Sequence, residues 1–363
     1  MKQSKLLTIL GSVLTLSLIV SLSFTSLTKE DKSETALEKC ENAIKGPLYT
    51  ECFVQYYQIQ AKSDGFKKTL NEFTAYTRET NDIEGACHQI SHKLGETLWE
   101  EYLANITKVD PTVCSYGVIH GAFIQAAKFL SPEEFTDTLV GACDISPDPP
   151  ICVHGFGHAI AEAKVTYEQA NASCTAINEH YRDRDFYVWI PPTCSEGYQM
   201  GLADHAEYLE GKTLSMMNKF CKAFKDEMFN GCIKAAIMTY TRYQPNDEAR
   251  DLKLKEMIAF CKNDTFENCN RGIGRGLNEA FPPYLVSIKE QAAMMEKYCS
   301  QTNQVGQCVD GLLGQRIFAT NYGYKDALLI CDFAGKLSSI CREEIAKIPS
   351  ESPNAKSANT VIK

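Results

Sequence analysis

The segment Ala142-Cys143-Asp-Ile-Ser-Pro-Asp-Pro-Pro-Ile-Cys152-Val-His154-Gly155-Phe-Gly157-His158 holds both features that organise this 363-residue chain. Cys143 ends a helix-period stretch that begins near Ser131, and Cys152 opens another. A bridge between them would staple the eight-residue loop of a helical hairpin. Behind Cys152, His154 and His158 stand four residues apart, on one face of the second helix.

The same arrangement recurs along the chain. Sixteen cysteines contain no Cys-x-x-Cys pair, which argues against zinc ribbons, thioredoxin-type redox chemistry, iron–sulfur clusters and c-type haem. Taken in order they fall into Cys40/Cys52, Cys87/Cys114, Cys143/Cys152, Cys174/Cys194, Cys221/Cys232, Cys261/Cys269, Cys299/Cys308 and Cys331/Cys341. Most pairs enclose 7 to 11 residues; Cys87/Cys114 and Cys174/Cys194 enclose more. The first cysteine usually ends a helical pattern, as in Phe260-Cys261 and Tyr298-Cys299, and the second opens one, as in Cys232-Ile-Lys-Ala. Spacing alone does not fix connectivity, so sequential pairing is an expectation. Each such bridge would remove about 2–3 kcal/mol of unfolded-chain entropy.

The second cysteines step along at 38, 42, 38, 37, 39 and 33 residues from Cys114 to Cys341. A period near 38 with one helix pair per step predicts an all-α, disulfide-stapled helical-hairpin repeat array: an α-solenoid, open or closed into an α/α toroid. Asn246–Cys261 and Leu285–Cys299 read as helices within it, and Phe186–Ile190 is the only short strand candidate. The spacing of paired cysteines that opens a glycine-containing helix, as in Ala142-Cys143 through Cys152 and Phe260-Cys261 through Cys269, resembles the cysteine-rich Sel1-like repeat proteins. That resemblance implies stapled helix pairs stacked into a solenoid and concerns architecture only.

Glycine recurs at fixed offsets from the second cysteine. Position +3 is Gly117, Gly155, Gly197, Ala235, Gly272 and Gly311, and position +7 is Gly121, Ala159, Gly201, Thr239 and Gly276. Glycine inside a helix costs about 1 kcal/mol against alanine. A bare ridge of small residues repays that by letting neighbouring helices pack closely, either as ordinary tight packing or as the lining of a crowded inner ring.

Five of the seven histidines follow such cysteines: His88 and His92, His120, and His154 and His158. His120 and His158 both fall at +6, and His92 reaches the same position if its repeat shifts by one residue. Imidazoles four apart suit bidentate metal binding, so all five are candidate ligands for a divalent transition metal: zinc, iron or copper. Glu196 at +2, where His154 sits in the preceding repeat, is a candidate ligand or general base. Met200 and Met238 at +6 favour copper, and Arg271 and Arg275 are candidate substrate-binding charges. The alternative is a polar core in which the histidines hydrogen-bond among themselves.

Lys2 and Lys5 precede an uncharged run from Leu6 to Leu27, so residues 1–28 read as a signal peptide or an N-terminal membrane anchor. Either exports the helical-repeat domain, residues 29–348, to the extracytoplasmic side, secreted or anchored to the outer face of the membrane; residues 349–363 read as a disordered tail. Sequons at Asn105, Asn171 and Asn263 are compatible with export. A net charge of −9 without a basic stripe excludes a nucleic-acid partner and leaves only the N-terminal segment for membrane contact. No His-Glu-x-x-His or Gly-x-Ser-x-Gly occurs, and Gly211-Lys212-Thr213 lacks the first glycine of a phosphate loop. Two functions fit: an exported metalloprotein, including a metal-dependent hydrolytic or oxidative enzyme acting on a small molecule, or a non-catalytic scaffold that binds a protein, peptide or glycan partner.

Overall fold

The computed structural model describes residues 36–41, 47–79, 87–97, 99–100, 114, 116–130, 132–146, 148–244, 246–262, 268–282, 286–319 and 323–348. The N-terminal segment 1–28, the tail 349–363 and the Asn105 and Asn263 sequons lie outside them. The described residues contain helices and no β-strand. A short N-terminal unit, ending at Ile44, holds α1 (Ala36–Glu41).

The unit from Lys45 onward is a succession of helical hairpins. It opens with α2 (Pro47–Asp64) and α3 (Phe66–Glu79), followed by α4 (Cys87–Thr97) and α5 (Gly117–Phe129). Next come α6 (Pro132–Asp144) with α7 (Pro149–Glu162), and α8 (Tyr167–Tyr181) with α9 (Ile190–Ala203). After the single turn α10 (Ala206–Leu209), α11 (Leu214–Cys221) pairs with α12 (Asp226–Thr239), and α13 (Asp247–Lys262) with α14 (Cys269–Ala280). The last hairpins are α15 (Ile288–Cys299) with α16 (Val305–Ala319), and α17 (Gly323–Phe333) with α18 (Ser338–Lys347).

Bridges join Cys87–Cys114, Cys143–Cys152, Cys174–Cys194, Cys221–Cys232, Cys261–Cys269, Cys299–Cys308 and Cys331–Cys341. Their Cα atoms are 5.3 to 5.8 Å apart, inside the range a disulfide spans without moving backbone. Cys40 on α1 and Cys52 on α2 are each disulfide-bonded, but the geometry of a link between them lies outside what is described. Among the described residues no cysteine is free. A fully bridged set of this size points to an oxidising, extracytoplasmic environment. No helix among the described residues is long and apolar enough to cross a membrane.

Local sequence explains the helix boundaries. Thr166 with Gln169, and Ser287 with Glu290, form capping boxes that start α8 and α15. Asn246 accepts from the Ala249 amide at 2.9 Å and starts α13, whereas Ser287 delays α15 three residues past the expected start at Leu285. The strand expected at Phe186–Ile190 is absent: Tyr187–Trp189 is a 3-10 turn, and α9 begins at Ile190. Pro191 and Pro192 at the helix start fix helical φ and cannot donate to a strand ladder. The apolar run is instead a surface turn, with Val188 and Trp189 over 60 % exposed (62 % and 64 %).

The helices that contain or follow the second cysteine of a bridge pack side by side in chain order, α5, α7, α9, α12, α14, α16 and α18, and α4, which opens on the first cysteine of its bridge, Cys87, packs beside α5. Between them lie fully buried apolar side chains such as Phe123, Phe156, Tyr198, Ile233, Ile273 and Leu312. The glycine ridge sets how near they come. A Cβ at Gly121 would collide with the His92 carbonyl, one at Gly197 with the His154 carbonyl, and one at Gly311 with the Arg271 carbonyl. Backbone therefore meets backbone along the ridge, and the polar side chains that flank it are drawn into common surroundings.

Candidate metal centre

All five candidate histidines project from this ridge: His88 and His92 from α4, His120 from α5, and His154 and His158 from α7. The structure brings them together. The His120 ring centroid lies 5.4 to 5.6 Å from those of His88, His92, His154 and His158. Within each pair four apart, the rings meet through Nε2, at 3.0 Å for His92 and His88 and 3.2 Å for His158 and His154. His92 also lies beside His158, with centroids 5.5 Å apart. His180 and His205 stand apart from the cluster, each against a carboxylate at 3.0 Å, Asp144 and Glu162 respectively.

Oxygen acceptors assign the hydrogens on two of these rings. His88 Nδ1 is 2.8 Å from the Cys114 carbonyl, and His120 Nε2 is 3.2 Å from the Ile151 carbonyl. A carbonyl only accepts, so both of these nitrogens carry hydrogen and donate. The lone pairs then sit on His88 Nε2 and His120 Nδ1. The former accepts from His92 Nε2; the latter is buried and has no hydrogen-bond partner.

Burial pushes the pKa of His88 below its ordinary value and those of His92, His120 and His154 well below it, and the mutual repulsion of imidazolium charges adds to the effect. These rings are therefore neutral near neutral pH, the form that binds metal. Among the described residues, His88, His92 and His120 form a group in which one ring nitrogen from each lies within 4.8 Å of the other two. Three nitrogens around one tetrahedral ion sit about 3.3 Å apart, so small ring rotations would close the group. These three histidines together can hold a metal.

Around the imidazoles runs a shell of ion pairs. Asp204 Oδ2 stands 3.4 Å from His158 Nδ1, and Arg242 bridges Asp204 at 2.5 Å and Glu279 at 2.7 Å. Burial works against the Arg242 charge, but Glu279 and Asp204 outweigh it and hold its pKa above the ordinary arginine value. Burial likewise raises the Asp204 carboxyl, and Arg242 and His158 override it, bringing it to about 2.

Glu196 does not join the histidine group. Its carboxylate is buried and pairs with Lys234 at 2.5 Å and with Arg275. Burial raises its pKa, and the two cations outweigh that and leave it lowered. Burial and the Arg275 charge push Lys234 down in turn. A carboxylate with both oxygens committed to cations is a weak base, so this geometry makes Glu196 the centre of a charge network. Arg271 is paired as well, with Asp310 at 2.6 Å.

Sequence reasoning named the histidines but passed over Arg242 and Glu279. A signal was available: Glu162, Asp204, Arg242 and Glu279 each fall ten residues after a second cysteine, a charged position one turn beyond the histidine offset. No protein-family model matches the chain, and no curated protein is significantly similar to it in sequence.

Proposed function

We propose that this chain is an exported metalloprotein in which His88, His92 and His120 bind one divalent transition metal ion. Three imidazoles suit zinc, iron or copper and leave a coordination position for water or a small substrate. A metal bound in this way supplies Lewis-acid or oxidative chemistry, which makes a hydrolytic or oxidative enzyme the favoured class. Export rests on the bridged cysteines together with residues 1–28 acting as a signal peptide or anchor.

One observation carries the reading. The His120 Nδ1 lone pair is buried beside His88 and His92 with no hydrogen to accept. An orphaned buried acceptor costs about 1–3 kcal/mol, and a metal ion held with His88 and His92 would satisfy it. Elemental analysis of full-length protein, purified from an oxidising compartment without chelator, tests it. Stoichiometric metal that disappears in His120→Ala supports the proposal. Metal-free wild type with unchanged stability in His120→Ala would favour the disulfide-rich scaffold that binds a protein, peptide or glycan partner.

A further inference from the structure

We infer that His154 and His158 form a second metal position beside the first, so that the five-histidine cluster is a dinuclear centre. The inference rests on the metal-binding reading of His88, His92 and His120 and extends it.

The two halves are built alike. Helices α4 and α7 each present two histidines four apart with Nε2 facing Nε2, at 3.0 Å in one and 3.2 Å in the other. In each pair an oxygen stands behind one ring. His88 Nδ1 donates to the Cys114 carbonyl at 2.8 Å, and the Asp204 carboxylate stands 3.4 Å from His158 Nδ1 as an ionic contact without hydrogen-bond alignment. An oxygen behind Nδ1 favours hydrogen on that nitrogen and leaves the lone pair on Nε2. This is the orienting contact that metal-binding histidines commonly have. Asp204 is itself anchored through Arg242, which Glu279 grips from the other side. Packing alone does not call for a carboxylate, a guanidinium and a second carboxylate in line behind one imidazole.

His120 lies between the halves. Its ring is within 5.6 Å of both rings of each pair, and its buried Nδ1 has no partner. Gly155, on the α7 helix, makes this possible: a Cβ there would meet His120 Cδ2 at 2.5 Å, so only a bare backbone lets α7 and its two histidines close on the His120 ring. The second position has two imidazole ligands of its own, and water or an anionic substrate oxygen would complete it. Two divalent ions held by these histidines would supply Lewis-acid chemistry that activates water at neutral pH.

The test is metal counting on the full oxidised chain. Protein stripped with chelator is titrated with Co(II), whose absorption reports binding, and separately loaded with zinc and measured by elemental analysis. Two equivalents in the wild type, falling to one in His154→Ala with the first affinity retained, are expected. Asp204→Asn keeps the shape of the site; it should weaken the second equivalent about 10- to 100-fold and leave the first unchanged. One equivalent in the wild type, kept in both variants, overturns the second position while leaving the first standing. Two equivalents that persist in His154→Ala overturn it equally. Failure to bind either ion in the wild type would remove the metal-binding reading itself.

Discussion

A buried imidazole without a charge partner resists protonation, and four of the five ridge histidines are held in that state by burial and by one another. Their unfolded counterparts take up protons near pH 6.5. Below that pH the unfolded chain gains protons that the folded chain refuses, so stability is complete above about pH 6.5 and falls as pH drops. The slope is about 1.4 kcal/mol per pH unit for each imidazole that stays neutral. The urea midpoint of chelator-treated protein should accordingly be lower at pH 5.5 than at pH 7.5. Equal midpoints would mean that these rings titrate as they do in water. At this scale the five histidines were legible, because they sit at matched offsets from the cysteines. What the sequence could not convey is that Glu196 would be claimed by Lys234 and Arg275. A carboxylate among cations and a carboxylate beside imidazoles look the same in one dimension.

Helices along the ridge touch through backbone, and alanine substitutions can measure how much depends on that contact. Gly121→Ala would drive a methyl group into the His92 carbonyl and should cost about 1–3 kcal/mol, while also separating His92 from His120 and weakening metal binding. Gly141, exposed on α6, has open space where a Cβ would go, so Gly141→Ala should raise stability by about 0.5–1 kcal/mol. Chemical denaturation of the two variants under identical conditions provides the comparison; equal effects would show that the close approach is incidental. Most elements could be read in advance from period and caps, as with Asn246 before α13. Phe186–Ile190 misled because a short run of aromatic and β-branched residues imitates a strand, although here only Val188 and Trp189 are strongly exposed and Ile190 is buried at the start of α9. The two prolines that follow were the better guide.

For the whole molecule, the step of about 38 residues between second cysteines was enough to predict the all-helical, bridged-hairpin architecture. It could not report how near the helices come, which depends on atoms that glycine lacks. A double variant, Cys143→Ala with Cys152→Ala, releases a loop with a sequence separation of 9 and should lose about 2–3 kcal/mol in urea denaturation. The seven described bridges all join a cysteine to the next one along the chain. A polypeptide threaded through a translocation pore from its N-terminus would thus deliver each thiol and its mate to the oxidising side before the following pair emerged. Correct bonds can be made in order of arrival, with an oxidant and no later reshuffling. The yield of native protein should then be insensitive to loss of the host's disulfide isomerase, and a sharp fall in yield would reveal that thiols from distant hairpins are captured first.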